Sequence, residues 1–385
     1  MDKKINVTRP SMPSFDEYAA EIKSIWDSAM LTNFGPLEER LKGELEKFLG
    51  VKNLPLFTNG HQALLAAISV IALPGKSKVI TTPFTFASTT EAIAGAGLKP
   101  VFADVDPVTY TLDPKKVEKL IDDDTAAIIP VHVYGNVCDT RTFEKLSEKY
   151  RIPVIYDAAH CFGVRKDGVG IGNFGTASMF SFHATKAFNT IEGGAAAVPE
   201  KYAQAVRNFA NYGLCGGATP EINGTNSKMT EFQAAMGLCN LRHIGEVTEK
   251  RAAICAKYTE ILTEGSFFDA ATGVSGNGIK LIPYQAGVTK NYAYFPVIFG
   301  KAESDGSFTP GDQERLLKVI ENLQNINVFP RRYFYPLISE FTCMKKYRPR
   351  KTPIAKRLSD NVLCLPLYAE LSLKDAARIA KTVLR

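Results

Sequence analysis

Between Lys78 and Tyr156 the chain alternates short, β-branched apolar runs with longer amphipathic stretches, and this alternation restricts the fold more than any other feature. The runs are Val79-Ile80-Thr81, Pro100-Val101-Phe102-Ala103, Ala127-Ile128-Ile129-Pro130-Val131 and Pro153-Val154-Ile155-Tyr156, separated by segments such as 114–122 and 140–150. Runs this short and this uniformly apolar read as strands buried on both faces, and parallel neighbours of that kind require helical crossovers. The pattern predicts an α/β domain built from βαβ units around a mostly parallel sheet. Ahead of it, Leu37, Leu41, Leu45, Phe48 and Leu49 recur at helical spacing and Gly50 is placed to end that helix, so the first fifty residues are expected to be mainly helical.

Beyond Gly194 one more strand, Ala195-Ala196-Ala197-Val198, precedes a polar, Gly-rich stretch from Gly213 to Asn226. The next helix begins near Met229-Thr230-Glu231 and runs past Ile244. For 385 residues this predicts amino-terminal helices and a large α/β domain over 1–245, then a smaller α+β domain over 246–385.

Composition excludes more than it assigns. No apolar leader follows Met1-Asp2-Lys3-Lys4-Ile5 and no run reaches the length of a membrane span, so a cytoplasmic protein with no membrane partner is expected. A net charge of +6 without an obvious Lys/Arg block argues against a nucleic-acid partner and is read as suiting anionic substrates. The seven cysteines, Cys138, Cys161, Cys215, Cys239, Cys255, Cys343 and Cys364, form no CxxC pair, and the five histidines lack metal-ligand spacing. Reduced thiols and no metal site are expected. Gly170-Ile171-Gly172-Asn173-Phe174-Gly175 has the letters of a dinucleotide fingerprint, but it leads into a strand where that motif needs a helix. Gly75-Lys76-Ser77 lacks the first glycine of a P-loop and reads as a turn.

The chemistry lies in two other places. Lys186 follows the run Phe180-Ser181-Phe182 by a few residues, and Asp157 closes the run Val154-Ile155-Tyr156. A lysine beyond one strand and an aspartate at the carboxyl end of another are the pair that pyridoxal 5'-phosphate requires. The amine forms a Schiff base, and the carboxylate keeps the pyridine nitrogen protonated so that the ring accepts electrons. Thr58-Asn59-Gly60-His61-Gln62 is a tight turn opening an apolar helix, and the N–H groups of Gly60, His61 and Gln62 are expected to hold the cofactor phosphate. Taken alone, the turn is an ordinary capped helix and the lysine a solvated charge; together they are a site. Phe86, just beyond the strand ending at Thr81, is assigned to stack on the ring, Ser181 to the phosphate, and His160 to the 3-hydroxyl or to a structural role. Burial is expected to lower the Lys186 pKa, so that its freed amine moves the proton of transamination.

These residues resemble the DegT/DnrJ/EryC1/StrS family of sugar aminotransferases, fold-type I pyridoxal phosphate enzymes, over nearly the whole chain. The resemblance is carried by Leu31-Thr32-Asn33-Phe34-Gly35-Pro36, Thr82-Pro83-Phe84-Thr85-Phe86-Ala87, Pro130-Val131-His132-Val133-Tyr134-Gly135 and the run from His183 to Gly194. Asn226-Ser227-Lys228-Met229-Thr230-Glu231 and Leu363-Cys364-Leu365-Pro366-Leu367-Tyr368 extend it. It implies a homodimer with shared sites, in which Asn226 reaches the neighbouring subunit's phosphate. It also implies L-glutamate as amino donor, a nucleotide-linked keto-sugar as acceptor, and substrate contacts from Arg331, Arg332 and Tyr333, the arginines meeting its diphosphate. Two positions depart from the family pattern: Asn59-Gly60-His61 stands where many members have Ser-Gly-Thr, and His160 where many have glutamine.

The wording around Lys186 and Tyr134-Gly135-Asn136 is most similar to the branch acting on dTDP-keto-6-deoxyhexoses. The expected substrate is dTDP-4-keto-6-deoxy-D-glucose, giving dTDP-4-amino-4,6-dideoxy-D-glucose. The 3-keto isomer stays open, because the same groups serve either orientation of the hexose. A non-catalytic, cofactor-binding regulator is the alternative from another class, and the complete set of Asp157, Ser181 and Lys186 argues against it. Lys186 argues against the dehydratase relatives, which carry histidine in place of the lysine.

Overall fold

The computed structural model describes residues 4–214, 219–220 and 222–385; Cys215 lies outside them, as does part of the stretch 213–226. The predicted runs are strands. In chain order, β1 is Leu56–Phe57, β2 Lys78–Thr81, β3 Lys99–Phe102, β4 Thr125–Ile129, β5 Ile155–Asp157, β6 Ala177–Ser181 and β7 Gly194–Ala197. Parallel bridges Ile128–Val154 and Val131–Asp157 join β4 to β5, so the seven form one sheet in the order β3-β2-β4-β5-β6-β7-β1. Only β7 runs against its neighbours.

Helices cover the sheet as the crossover rule demands. They are α1 (Phe15–Ser28), α2 (Pro36–Leu49), α3 (Gly60–Ile71), α4 (Ala87–Gly95), α5 (Thr140–Tyr150) and α6 (Glu200–Phe209). Some of their ends have a clear local cause. Pro36 occupies the first turn of α2 and Gly50 ends it in the left-handed region at φ 65°. Asn59 caps α3 by accepting the Gln62 N–H at 2.9 Å.

The longest helix, α7 (Glu231–Thr263), opens with a capping box between Thr230 and Gln233. Its first half, with Ala234, Ala235 and Leu238, packs in the core of the large domain. Its second half, with Ile254, Tyr258 and Leu262, packs in the core of the small one. Residue 245 therefore falls inside a continuous helix.

The small domain carries α8 (Gln313–Asn325), α9 (Pro353–Asn361) and α10 (Leu373–Val383) on an antiparallel sheet centred on Phe295–Ala302. The chain's start also belongs here: Ile5–Asn6 pairs in parallel with Val328–Phe329. A division at 245 thus misses the amino-terminal strand, whose two residues carry no periodicity to reveal their partner.

The excess positive charge is placed differently from the expectation. Lys345, Lys346, Arg348, Arg350 and Lys351 form a dense, exposed basic run. Arg348 and Arg350 line a shallow cleft with Lys78, at the amino end of β2. The candidate site lies at the carboxyl end of the sheet, so this charge does not surround it.

Candidate active site

The amino end of α3 rests on the ends of β6 and β7. A Cβ at Gly60 would lie 2.9 Å from that of Ser181, and a Cβ at Gly194 would overlap Gly60, so glycine at both positions lets the helix start reach the strand ends. The N–H groups of Gly60 and His61 precede any carbonyl of their own helix and remain available to an anion, next to the Ser181 hydroxyl. Gln62 differs from the expectation. Its N–H is taken by the Asn59 cap, while its side-chain oxygen accepts from the Thr225 hydroxyl at 3.0 Å. His61 Nδ1 lies 3.1 Å from Ser88 Oγ, which brings a hydroxyl from α4 to the turn that lacks one of its own.

Asp157, at the end of β5, is 4% exposed. Its Oδ2 accepts from the Thr89 hydroxyl at 2.7 Å and its Oδ1 from the Ala159 N–H at 3.1 Å. Burial pushes the carboxyl above its ordinary range, against the pull of the Thr89 hydroxyl, the Ala159 N–H and the Lys186 charge. A buried carboxylate with two hydrogen bonds and no adjoining guanidinium is a group awaiting a cation, and the protonated ring nitrogen of pyridoxal phosphate fits that need.

His160 is buried and its Nδ1 accepts the Tyr134 N–H at 3.0 Å, so its other nitrogen carries the proton of the neutral ring. Burial, then the Lys186 charge, holds its pKa well below the ordinary value. The ring sits between aromatic neighbours, 4.7 Å from Tyr294 and 5.9 Å from Phe334. A structural role and a donor for the cofactor hydroxyl are compatible here.

Lys186 rides on a loop closed at its base by Phe182: the Phe182 N–H donates to the Gly193 carbonyl at 2.8 Å, and the Thr190 N–H donates to Phe182 at 2.9 Å. The ammonium is partly buried and donates to Tyr294 Oη at 3.3 Å. Burial pushes its pKa down to about 8, opposed by Asp157 and Tyr333. Phe86 caps the start of α4 with its ring 61% exposed, a large apolar surface left uncovered beside the site.

The residues assigned to the sugar and to the partner divide. Arg331 is exposed beside the Tyr333 hydroxyl, and the Tyr333 ring packs 5.5 Å from that of Tyr294, so both lie next to the lysine. Arg332 turns away. It donates to the carbonyls of Ser359 and Asp360 at 3.2 and 2.8 Å and stacks 3.4 Å from the centre of the Tyr335 ring, which corrects its reading as a diphosphate contact. Asn226 is exposed, and its side-chain oxygen accepts from Lys228 Nζ at 2.7 Å.

Sequence reasoning missed Thr89, Tyr134 and Tyr294. Thr89 lies two residues beyond a motif that was read, but nothing in a threonine on a helix shows that it faces a strand end 68 residues away. Tyr294 precedes an ordinary apolar strand and carries no local mark.

A sheet of this order, with a lysine, a buried aspartate and a helix start gathered at its carboxyl edge, defines a fold-type I aminotransferase, and these side chains fit pyridoxal phosphate. The chain belongs to the DegT/DnrJ/EryC1/StrS aminotransferase family, which it matches over residues 15–384. It is 37% identical to the dTDP-4-amino-4,6-dideoxy-D-glucose transaminase of Shigella dysenteriae over 385 residues, covering 100% of this chain and 99% of that one. Against the Escherichia coli protein of the same name the identity is 36% over 393 residues, covering 100% and 99%. The crystal structure of DesI with its TDP-sugar product superposes with a TM-score of 0.87 at 30% identity, covering 100% of this chain and 93% of that one. Helicobacter pylori PseC, at 23% identity and a TM-score of 0.86, shares the fold over 99% of this chain and 98% of its own.

Proposed function

We propose that this aminotransferase moves the amino group of L-glutamate to dTDP-4-keto-6-deoxy-D-glucose, giving dTDP-4-amino-4,6-dideoxy-D-glucose. The observation that supports the substrate most directly is the pair of full-length relatives, 37% and 36% identical, that carry this transaminase name. When bound, pyridoxal phosphate supplies a carbonyl that captures amines and a ring that accepts electrons.

The protein's own groups have separable tasks. The N–H groups of Gly60 and His61 and the Ser181 hydroxyl bind the phosphate. Asp157 holds the positive charge on the ring nitrogen, with Thr89 fixing its carboxylate. Phe86 covers one face of the ring and excludes water. Lys186, its pKa lowered by burial to about 8, would hold the cofactor through its amine and, as a free amine, would carry the proton of transamination. Arg331 and Tyr333 border the sugar.

The shared site of a homodimer belongs to the same reading. Asn226 is exposed on its own protomer, as a residue destined for a partner's phosphate must be. Trp26, Leu31, Ile191 and Tyr212 are 69, 56, 45 and 53% exposed, apolar surface that a second copy would cover.

The test is an absorbance spectrum of the protein with pyridoxal phosphate, before and after L-glutamate and then the 4-keto sugar. A cofactor band that glutamate converts and the sugar restores supports both half-reactions. A band that glutamate converts and only the 3-keto isomer restores overturns the regiochemistry, and no band overturns the cofactor.

A further inference from the structure

One face of the first turns of α7 lies against the loop that carries Lys186. Gln233 uses every hydrogen-bonding position of its carboxamide. Its Oε1 accepts from the Thr230 N–H at 2.9 Å and from the Thr230 hydroxyl at 3.1 Å. Its Nε2 donates to the carbonyl of Thr58 at 3.2 Å and to that of Glu192 at 2.7 Å. Thr58 opens the phosphate turn, and Glu192 lies at the close of the lysine loop. A single side chain therefore spans the two anchors of the cofactor.

The rest of that helical face acts in the same direction. Two turns on, Asn240 Nδ2 donates to the Asn189 carbonyl at 2.9 Å, again on the lysine loop. Between them, a Cβ at Gly237 would come within 2.8 Å of Thr190 Cγ2, so helix and loop are in close contact. Residues 233, 237 and 240 share one face by helical periodicity.

The distance between phosphate turn and lysine amine has to match a rigid aromatic ring and its phosphate arm. Thr58 and Glu192, however, both lie in loop segments, outside the strands and helices that flank them. We infer that Gln233 is a positioning residue that fixes the phosphate turn relative to the Lys186 loop, and so presets the site for its cofactor. It reaches neither cofactor nor substrate and acts through the Thr58 and Glu192 carbonyls. The inference rests on the reading of this site as a pyridoxal phosphate site.

The experiment compares wild type with Gln233→Glu, which keeps an acceptor for Thr230 and removes both donors. Three quantities are measured on the full chain: the dissociation constant for pyridoxal phosphate from titration of stripped protein, the midpoint of the pH titration of the bound cofactor's absorbance, and the melting temperature of stripped protein. The dissociation constant should rise about tenfold, in keeping with two lost hydrogen bonds, and the absorbance midpoint should move because the amine meets the ring at a changed angle. Asn240→Leu should weaken binding in the same direction and by less.

A folded Gln233→Glu protein with wild-type affinity and midpoint overturns the inference, whatever its melting temperature. Should that variant fail to fold, Thr230→Val removes the hydroxyl that donates to the carboxamide, together with the cap that hydroxyl gives the Gln233 N–H, whose cost is read separately from the melting temperature. It should raise the dissociation constant about threefold, on the scale of one weakened hydrogen bond, and an unchanged constant there overturns the inference as well. Wild-type protein that binds no pyridoxal phosphate defeats the underlying cofactor reading and leaves a result distinct from either.

Discussion

The Thr89 hydroxyl donates to Asp157 Oδ2 at 2.7 Å, and Thr85 Oγ1 lies 2.8 Å from Thr89 Oγ1 behind it. A short chain of hydroxyls on and before α4 thus orients the buried carboxylate that closes β5. The aspartate is held in one rotamer before any cation arrives.

That relationship separates two kinds of loss. Asp157→Asn removes the charge that retains the ring proton, and steady-state transamination should fall by about 10²–10³-fold, the scale of a lost electrostatic partner in a closed site. Thr89→Val keeps the volume, the carboxylate and its Ala159 contact, and removes the hydroxyl's bonds to Asp157 and Thr85, so kcat should fall only about tenfold. Wild-type turnover by Asp157→Asn would refute the assignment.

The Lys186 amine titrates near pH 8, well below an ordinary lysine, because burial disfavours its charge. Only the neutral amine attacks a carbonyl. The rate at which stripped protein captures pyridoxal phosphate should therefore rise between pH 7 and 9 and level off above. Lys186→Ala should capture none at any pH, as read by absorbance after gel filtration. A rate indifferent to pH across that window would contradict the depressed value.

Tyr294 Oη is the acceptor for Lys186 in the structure, at 3.3 Å. Tyr294→Phe keeps the ring contacts with His160 and Tyr134 while freeing the amine. The expected result is a fall in kcat of about three- to tenfold with KM for the sugar little changed, since a single hydrogen bond to a charged group is lost near the reacting atoms and not at the sugar. An effect confined to KM would place Tyr294 in sugar binding instead.

Glu38 gives a pH dependence of stability. It is 1% exposed, its Oε2 has no hydrogen-bond partner, and burial with neighbouring Glu39 pushes its carboxyl up to about 7. Between the ordinary value of 4.5 and about 7 the folded chain holds a proton that the unfolded chain has released, so this group's contribution falls as pH rises through that window. Glu38→Gln should raise the melting temperature at pH 8 and change it much less at pH 4.5. At pH 8 the gain should be worth about 1–3 kcal/mol, the usual penalty of an unsatisfied buried polar group. Equal shifts at the two pH values would show that the carboxyl does not titrate there.

Much of the architecture was written in local pattern. Apolar runs of three to five residues marked the central strands, and Gly50 and Met229-Thr230-Glu231 marked helix ends close to where they are observed. Asp157 was legible because it closes an apolar run, where a charged residue is anomalous unless it has a task, and Lys186 because it follows another such run by a few residues. The two-residue strands Leu56–Phe57 and Ile5–Asn6 were not, since a pair of residues carries no period.

The supporting residues escaped for a related reason. Thr89 meets Asp157 across 68 positions, Tyr294 meets Lys186 across 108, and Gln233 meets Thr58 across 175. Threonine, tyrosine and glutamine are unremarkable at each of those places. Arg332 erred in the opposite sense: an arginine in a substrate-side loop reads as a ligand until the chain folds and the carbonyls of Ser359 and Asp360 reach it first. Identity and order of side chains decide which chemistry a chain can carry and which segments become strands and helices, because propensity and periodicity act over a few residues. Which groups are held rigid and which remain free for a ligand is decided by packing between distant segments, where hydrogen bonds and burial depend on distances that no local pattern encodes.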